Sequence, residues 1–141
     1  SILAMVKGLE DYNPENLRLS LNKKTELFNQ LKLKYNSFQE TPTGVMVKEG
    51  DMYNELNCEN KDLSAKDFNF IWSMILLKKE GIITIPAVGM PGASATIRFD
   101  IASPDSNKLT VEEIIKKINS SINSLKNVMN NTDKCYNLIF E

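Results

Sequence analysis

Residues 95–102 read Ala-Thr-Ile-Arg-Phe-Asp-Ile-Ala, a run that changes character at every second position. That period is the signature of a half-buried β-strand, because successive side chains in a strand leave on opposite faces. Ile97, Phe99 and Ile101 then form one apolar row, and Thr96, Arg98, Asp100 and Ala102 a second, polar or small row. Such a strand needs partner strands beside it and helices over its apolar row. The rest of the chain supplies both.

Asn13-Pro14 reads as a helix start, with asparagine as N-cap and proline at the first helical position. The helix that follows is predicted to run to about residue 35, with Leu17, Leu21, Phe28 and Leu31 on one face. Thr41-Pro42-Thr43-Gly44 punctuates the chain before a short strand, Val45-Met46-Val47-Lys48-Glu49. Residues 50–63 read as a polar loop. Ser64 caps a helix with Phe68, Ile71, Trp72, Ile75 and Leu76 toward the core, Lys78 and Lys79 in its last turn, and Gly81 as its stop. Residues 82–85 read as a short buried strand halted by Pro86, and 88–94 as a Gly/Pro loop that could join it to the Arg98 strand as a hairpin-like pair. After a turn-rich stretch at 103–109, Thr110-Val111-Glu112-Glu113 is a capping box. It opens a helix carrying Val111, Ile114, Ile115, Ile118, Ile122, Leu125 and Met129. At the other end of the chain, Ile2, Met5, Val6 and Leu9 are spaced for a short helix, uncapped and without a leading methionine, as expected of a piece of a longer protein. The expected organisation is a helix over 1–12, a domain over 13–130, and a tail over 131–141 that is loose at 130–134 and offers an edge strand or core packing at 136–140. The fold class is α/β (α+β): a small three- to four-stranded sheet with helices packed mainly on one face.

Composition removes several functions. The net charge is -1 and no basic stripe with interleaved aromatics occurs, which argues against nucleic-acid binding. The longest apolar stretch is too short for a bilayer, and no secretory signal is visible, so a cytoplasmic protein with no membrane partner is expected. Cys58 and Cys135 lack metal-ligand spacing and are expected as free thiols. The chain has no histidine, which excludes the commonest general base and zinc ligand and every Ser-His or Cys-His nucleophile pair.

One residue stands out. Of 17 basic residues only Arg18 and Arg98 are arginines, leaving 15 lysines. A guanidinium grips a carboxylate or phosphate through two parallel hydrogen bonds, which an ammonium cannot do. Arg98 on the polar row of a strand is therefore the candidate anion clamp. The alternative is a rim arginine paired with Asp100 or a surface glutamate.

The order of these elements, from residue 2 to 129, resembles the C-terminal small domain of fold-type-I pyridoxal-phosphate-dependent aminotransferases. The resemblance is carried by the apolar lead-in helix, the long charged helix, Pro42-Thr43-Gly44 before a strand, and Leu76-Leu77-Lys78-Lys79-Glu80-Gly81-Ile82 at a helix end. It continues through the Pro/Gly loop, Ile97-Arg98-Phe99-Asp100-Ile101-Ala102, and the Thr-x-Glu-Glu opening of the last helix. The resemblance implies that Arg98 binds the α-carboxylate of an amino-acid or 2-oxo-acid substrate during amino-group transfer. It implies pyridoxal phosphate as cofactor, held by a large domain N-terminal to this one, and a homodimer when full length. The Schiff-base lysine, the acid at the pyridine nitrogen and the phosphate cup would all belong to that large domain, so this piece alone would be inactive, with no catalytic, cofactor-binding or metal-binding residue of its own. Acyl-CoA-condensing synthases of the same fold type are similar around residues 87–95, but commonly carry a histidine after the arginine strand. A lyase with the same small domain, or a non-enzymatic module that binds a ligand or partner, are the other readings. Lys48, at the end of its strand, reads as a solvated residue. Gly89-x-x-Gly92 precedes a strand and so lacks the helix start of a phosphate loop.

Overall fold

A computed structural model describes residues 14–86, 96–100 and 109–140. The expected helix over 1–12, the Gly/Pro loop at 88–94, the turn at 103–109 up to residue 108, and positions Ile101 and Ala102 lie outside them. The described residues form five helices and four strands. In chain order these are α1 (Pro14–Lys34), β1 (Phe38–Glu40), β2 (Gly44–Lys48), α2 (Asp51–Glu55), α3 (Ala65–Lys78), β3 (Ile85–Pro86), β4 (Thr96–Asp100), α4 (Val111–Lys126) and α5 (Thr132–Phe140). The strands make one antiparallel sheet in the order β1-β2-β4-β3. This is an α+β fold. No helix among the described residues is long and apolar enough to cross a membrane.

Two residues join sheet to helices. Phe99 of β4 and Phe38 of β1 sit with ring centroids 6.1 Å apart, and Trp72 of α3 closes a triangle at 6.1 Å from Phe99 and 6.4 Å from Phe38. Val45, Val47 and Ile97 extend that apolar side of the sheet, and all are buried. Tilted and edge-on rings of this kind add about 0.5–1.5 kcal/mol per pair beyond their burial. The Trp72 indole N–H donates to Ser121 Oγ at 2.9 Å, which pins α3 to α4 inside the core. Ser121 in turn donates to the Ile118 carbonyl, so neither polar group is buried alone.

Local signals act as expected at α3 and α4. Ser64 Oγ accepts from the Asp67 N–H at 3.1 Å. Thr110 and Glu113 close the reciprocal capping box. Gly81 takes φ +68°, where a Cβ would be strained, and the Ile82 N–H returns to the Leu76 carbonyl. The hairpin-like pairing of β3 with β4 also forms.

Five expectations change. The buried line of α1 is Leu27, Leu31 and Tyr35, one residue every four; Phe28 is only half-buried and Leu21 is exposed. The strand expected at 82–85 pairs only at Ile85 and Pro86, and Ile83 is two-thirds exposed, because the chain is still leaving the α3 turn there. Residues 38–40, for which the sequence suggests no element, form β1; three residues carry too little periodicity to announce a strand. The polar loop at 50–63 contains α2, entered through Gly50 at φ +89°, with Met52 and Leu63 fully buried. The tail takes the core-packing alternative rather than the edge strand, as a helix over 132–140 that includes part of the stretch expected to be loose. Asn131 Oδ1 accepts from the Lys134 N–H, and Cys135 and Ile139, four apart, both face the core.

Candidate functional site

β4 places Ile97 and Phe99 in the core at 1 % and 4 % exposure, while Arg98 between them is exposed. The guanidinium therefore stands on the side of the sheet away from the aromatic triangle. Register builds a row across that side. Arg98 is paired with Met46 of β2 and with Ile85 of β3, and Met46 is paired with Gln39 of β1. Met46 and Gln39 are half-buried.

Lys48 pairs with Thr96, two positions from Arg98 on β4. That makes Lys48 and Arg98 diagonal neighbours on one face, a relation that sets such residues about 7–8 Å apart. Both are exposed. Register brings two cations together on this face, an arrangement that favours a small anion. The ion pair found among the described residues lies elsewhere, between Lys24 and Glu40 at 3.7 Å. Being half exposed, it contributes little. Sequence reasoning set Lys48 aside as a solvated strand end. Its partner in this site lies fifty residues along, and only the β2–β4 register connects the two.

The turn leading into β2 is built tightly. Thr41 donates its N–H to the Gly44 carbonyl at 3.0 Å, and its Oγ1 accepts from the Gly44 N–H at 2.9 Å. This closes the β1–β2 hairpin in the register that sets Glu40 opposite Val45 and Gln39 opposite Met46.

Residues 34–110, which include the whole sheet and both cations, match the UPF0425 C-terminal domain. The chain belongs to that family. Over 134 residues it is 41 % identical to a UPF0425 pyridoxal phosphate-dependent protein of Methanosphaera stadtmanae, covering 94 % of this chain and 35 % of that one. A protein of the same name from Methanothermobacter thermautotrophicus is 33 % identical over 138 residues, covering 98 % and 35 %. A third, from Methanococcus maripaludis, is 34 % identical over 127 residues, covering 87 % and 30 %. The chain thus spans about a third of the length of the curated relatives it matches.

Among the described residues no lysine is placed to form a Schiff base with pyridoxal phosphate. A Schiff-base lysine needs a desolvated amine or a cationic neighbour that lowers its pKa. No lysine among the described residues is buried. Lys23, Lys78 and Lys117 commit their ammonium groups to the backbone carbonyls of Leu109, Ile139 and Glu80. Lys48 is solvated. Among the described residues no three of the histidine, cysteine, aspartate or glutamate side chains gather into a metal site. What the domain does present is the Arg98 face.

Proposed function

We propose that this chain is the C-terminal domain of a pyridoxal-phosphate-dependent enzyme, and that its open sheet face holds the carboxylate of an amino-acid or 2-oxo-acid substrate. The observation that carries the reading is Arg98, exposed at the centre of that face in a domain whose relatives are named pyridoxal phosphate-dependent. The finer reading, from the order of elements, is amino-group transfer. The cofactor, held by the rest of the full-length protein, would supply the electron sink for that chemistry.

The work of this domain is positional. Arg98 offers two parallel N–H donors to a carboxylate, fixing the acid in orientation as well as in place. Lys48 adds a second positive charge beside it, drawing the anion in and neutralising the oxygen that the guanidinium reaches less well. The rigid sheet, anchored through Phe99 and Ile97, keeps the clamp from drifting. The full-length protein is further proposed to act as a homodimer, which sedimentation would check.

The test uses the full-length protein, a panel of amino acids with a 2-oxo-acid acceptor, and the absorbance of the bound cofactor. Arg98→Ala is expected to raise KM for the acid by tenfold or more, the equivalent of about 1.5–3 kcal/mol for a charged hydrogen bond, while cofactor binding stays intact. Arg98→Lys keeps the charge but loses the fork, so it should recover only part of the affinity. An unchanged KM in Arg98→Ala would remove this residue from the site.

A further inference from the structure

Cys58 and Cys135 lie far apart in the sequence and take no part in the carboxylate clamp. The fold brings their segments together. Asn60 Nδ2 donates to the Met129 carbonyl and to Thr132 Oγ1, both at 3.0 Å, so the loop after α2 is tied to the start of α5. Cys58 sits two residues before that tie, with its N–H bonded to the Tyr53 carbonyl at 3.3 Å. Cys135 sits one helical turn after it, fully buried, its thiol donating to the Val128 carbonyl at 3.2 Å. Cys58 is half-buried and packs against the core cluster that contains Cys135. Tyr53 completes the group, its hydroxyl donating to the Leu63 carbonyl at 2.8 Å across the same loop. Cys135 also feels Cys58. Burial pushes the Cys135 thiol up, and the charge that Cys58 can carry pushes it further.

We propose that Cys58 and Cys135 are a redox-responsive dithiol, which a low-molecular-weight disulfide such as oxidised glutathione closes into an internal disulfide. Cys58, the more accessible, gives up its proton, and its thiolate attacks one sulfur of the small disulfide. That S–S bond breaks, one thiolate leaves and takes a proton, and a mixed disulfide remains on Cys58. Cys135 then gives up its proton as its sulfur attacks the Cys58 sulfur; the mixed S–S bond breaks, and the second small thiolate leaves and takes that proton. Two protein thiols are oxidised and one small disulfide is reduced to two thiols. The product adds a covalent tie between the α2–α3 loop and α5 to the hydrogen bonds of Asn60.

The experiment uses full-length protein treated with oxidised glutathione, quenched with an alkylating reagent, digested and mapped by mass spectrometry. A Cys58–Cys135 linked peptide that vanishes on reduction is expected. In Cys135→Ser, glutathione should instead remain on Cys58. Three results would overturn the proposal: glutathione retained on Cys58 in the wild type, no reaction at either thiol, or a bridge from Cys58 to some other cysteine. A second reading comes from trypsin cleavage after Lys61, which is exposed in the same loop. The bridged form should be cut more slowly by roughly tenfold, because loop opening must precede cleavage. Equal rates in the two redox forms would show that the bridge does not hold the loop.

Discussion

Trp72 touches both layers of the fold, stacking against Phe38 and Phe99 and donating to Ser121. Trp72→Phe keeps most of the apolar contact but leaves Ser121 with one hydrogen bond fewer. It is expected to cost about 1–2 kcal/mol in urea unfolding, and Trp72→Ala about 3–5 kcal/mol. The side-chain alternation around Arg98 was legible because a two-residue period assigns faces without reference to any other strand. Phe99 inside and Arg98 outside followed from that alone. Lys48 was not legible as a neighbour, since its position depends on which residue of β2 meets which residue of β4. Its contribution can be measured. Lys48→Ala should weaken acid binding by less than Arg98→Ala does, and should flatten the dependence of KM on salt, because an exposed point charge is screened where a bidentate contact is not.

Elements with a chemical punctuation mark were the readable ones. Thr110 and Glu113 announce α4, and the hydroxyl and carboxylate do close on each other. Thr110→Ala should lower stability by about 1 kcal/mol, seen as a lower urea midpoint with an unchanged slope. α5 went unread because its cap is an asparagine inside a polar stretch and its buried pair, Cys135 and Ile139, is only two residues long as a pattern. That helix belongs to the core nonetheless. Ile139→Asp would bury an unpaired carboxylate and is expected to detach α5, appearing as reactive Cys135 in a thiol titration of the otherwise native protein. In α1 the charged sequence hid which stripe of leucines meets the sheet. Leu27, Leu31 and Tyr35 do so because the helix ends over β1, where Tyr35 stacks 5.7 Å from Phe38.

Across the whole molecule, several buried groups are held in their protonated form. Tyr35 is pushed above its ordinary 10.0 by burial and by Glu55, and its hydroxyl donates to Asn119 at 2.7 Å. Cys135 is pushed above 9.0 by burial and by Cys58, with a backbone hydrogen bond offsetting part of the shift. A raised folded-state pKa means that the stability is fully present below the unfolded value and is lost as pH rises through the folded one. The urea midpoint should therefore hold steady up to about pH 9 and fall beyond it, and Cys135→Ser should delay the fall toward the tyrosine range. The layered α+β arrangement was foreseeable from the order of segments, but the strand order β1-β2-β4-β3 was not, since β1 gives no signal of its own. That order has one more outcome. Among the described residues the flank formed by β3 has two residues, and the second is Pro86, which lacks an amide proton. An extended peptide drifting alongside finds no donor to copy at Pro86, so templated fibre growth is discouraged at that point of the flank.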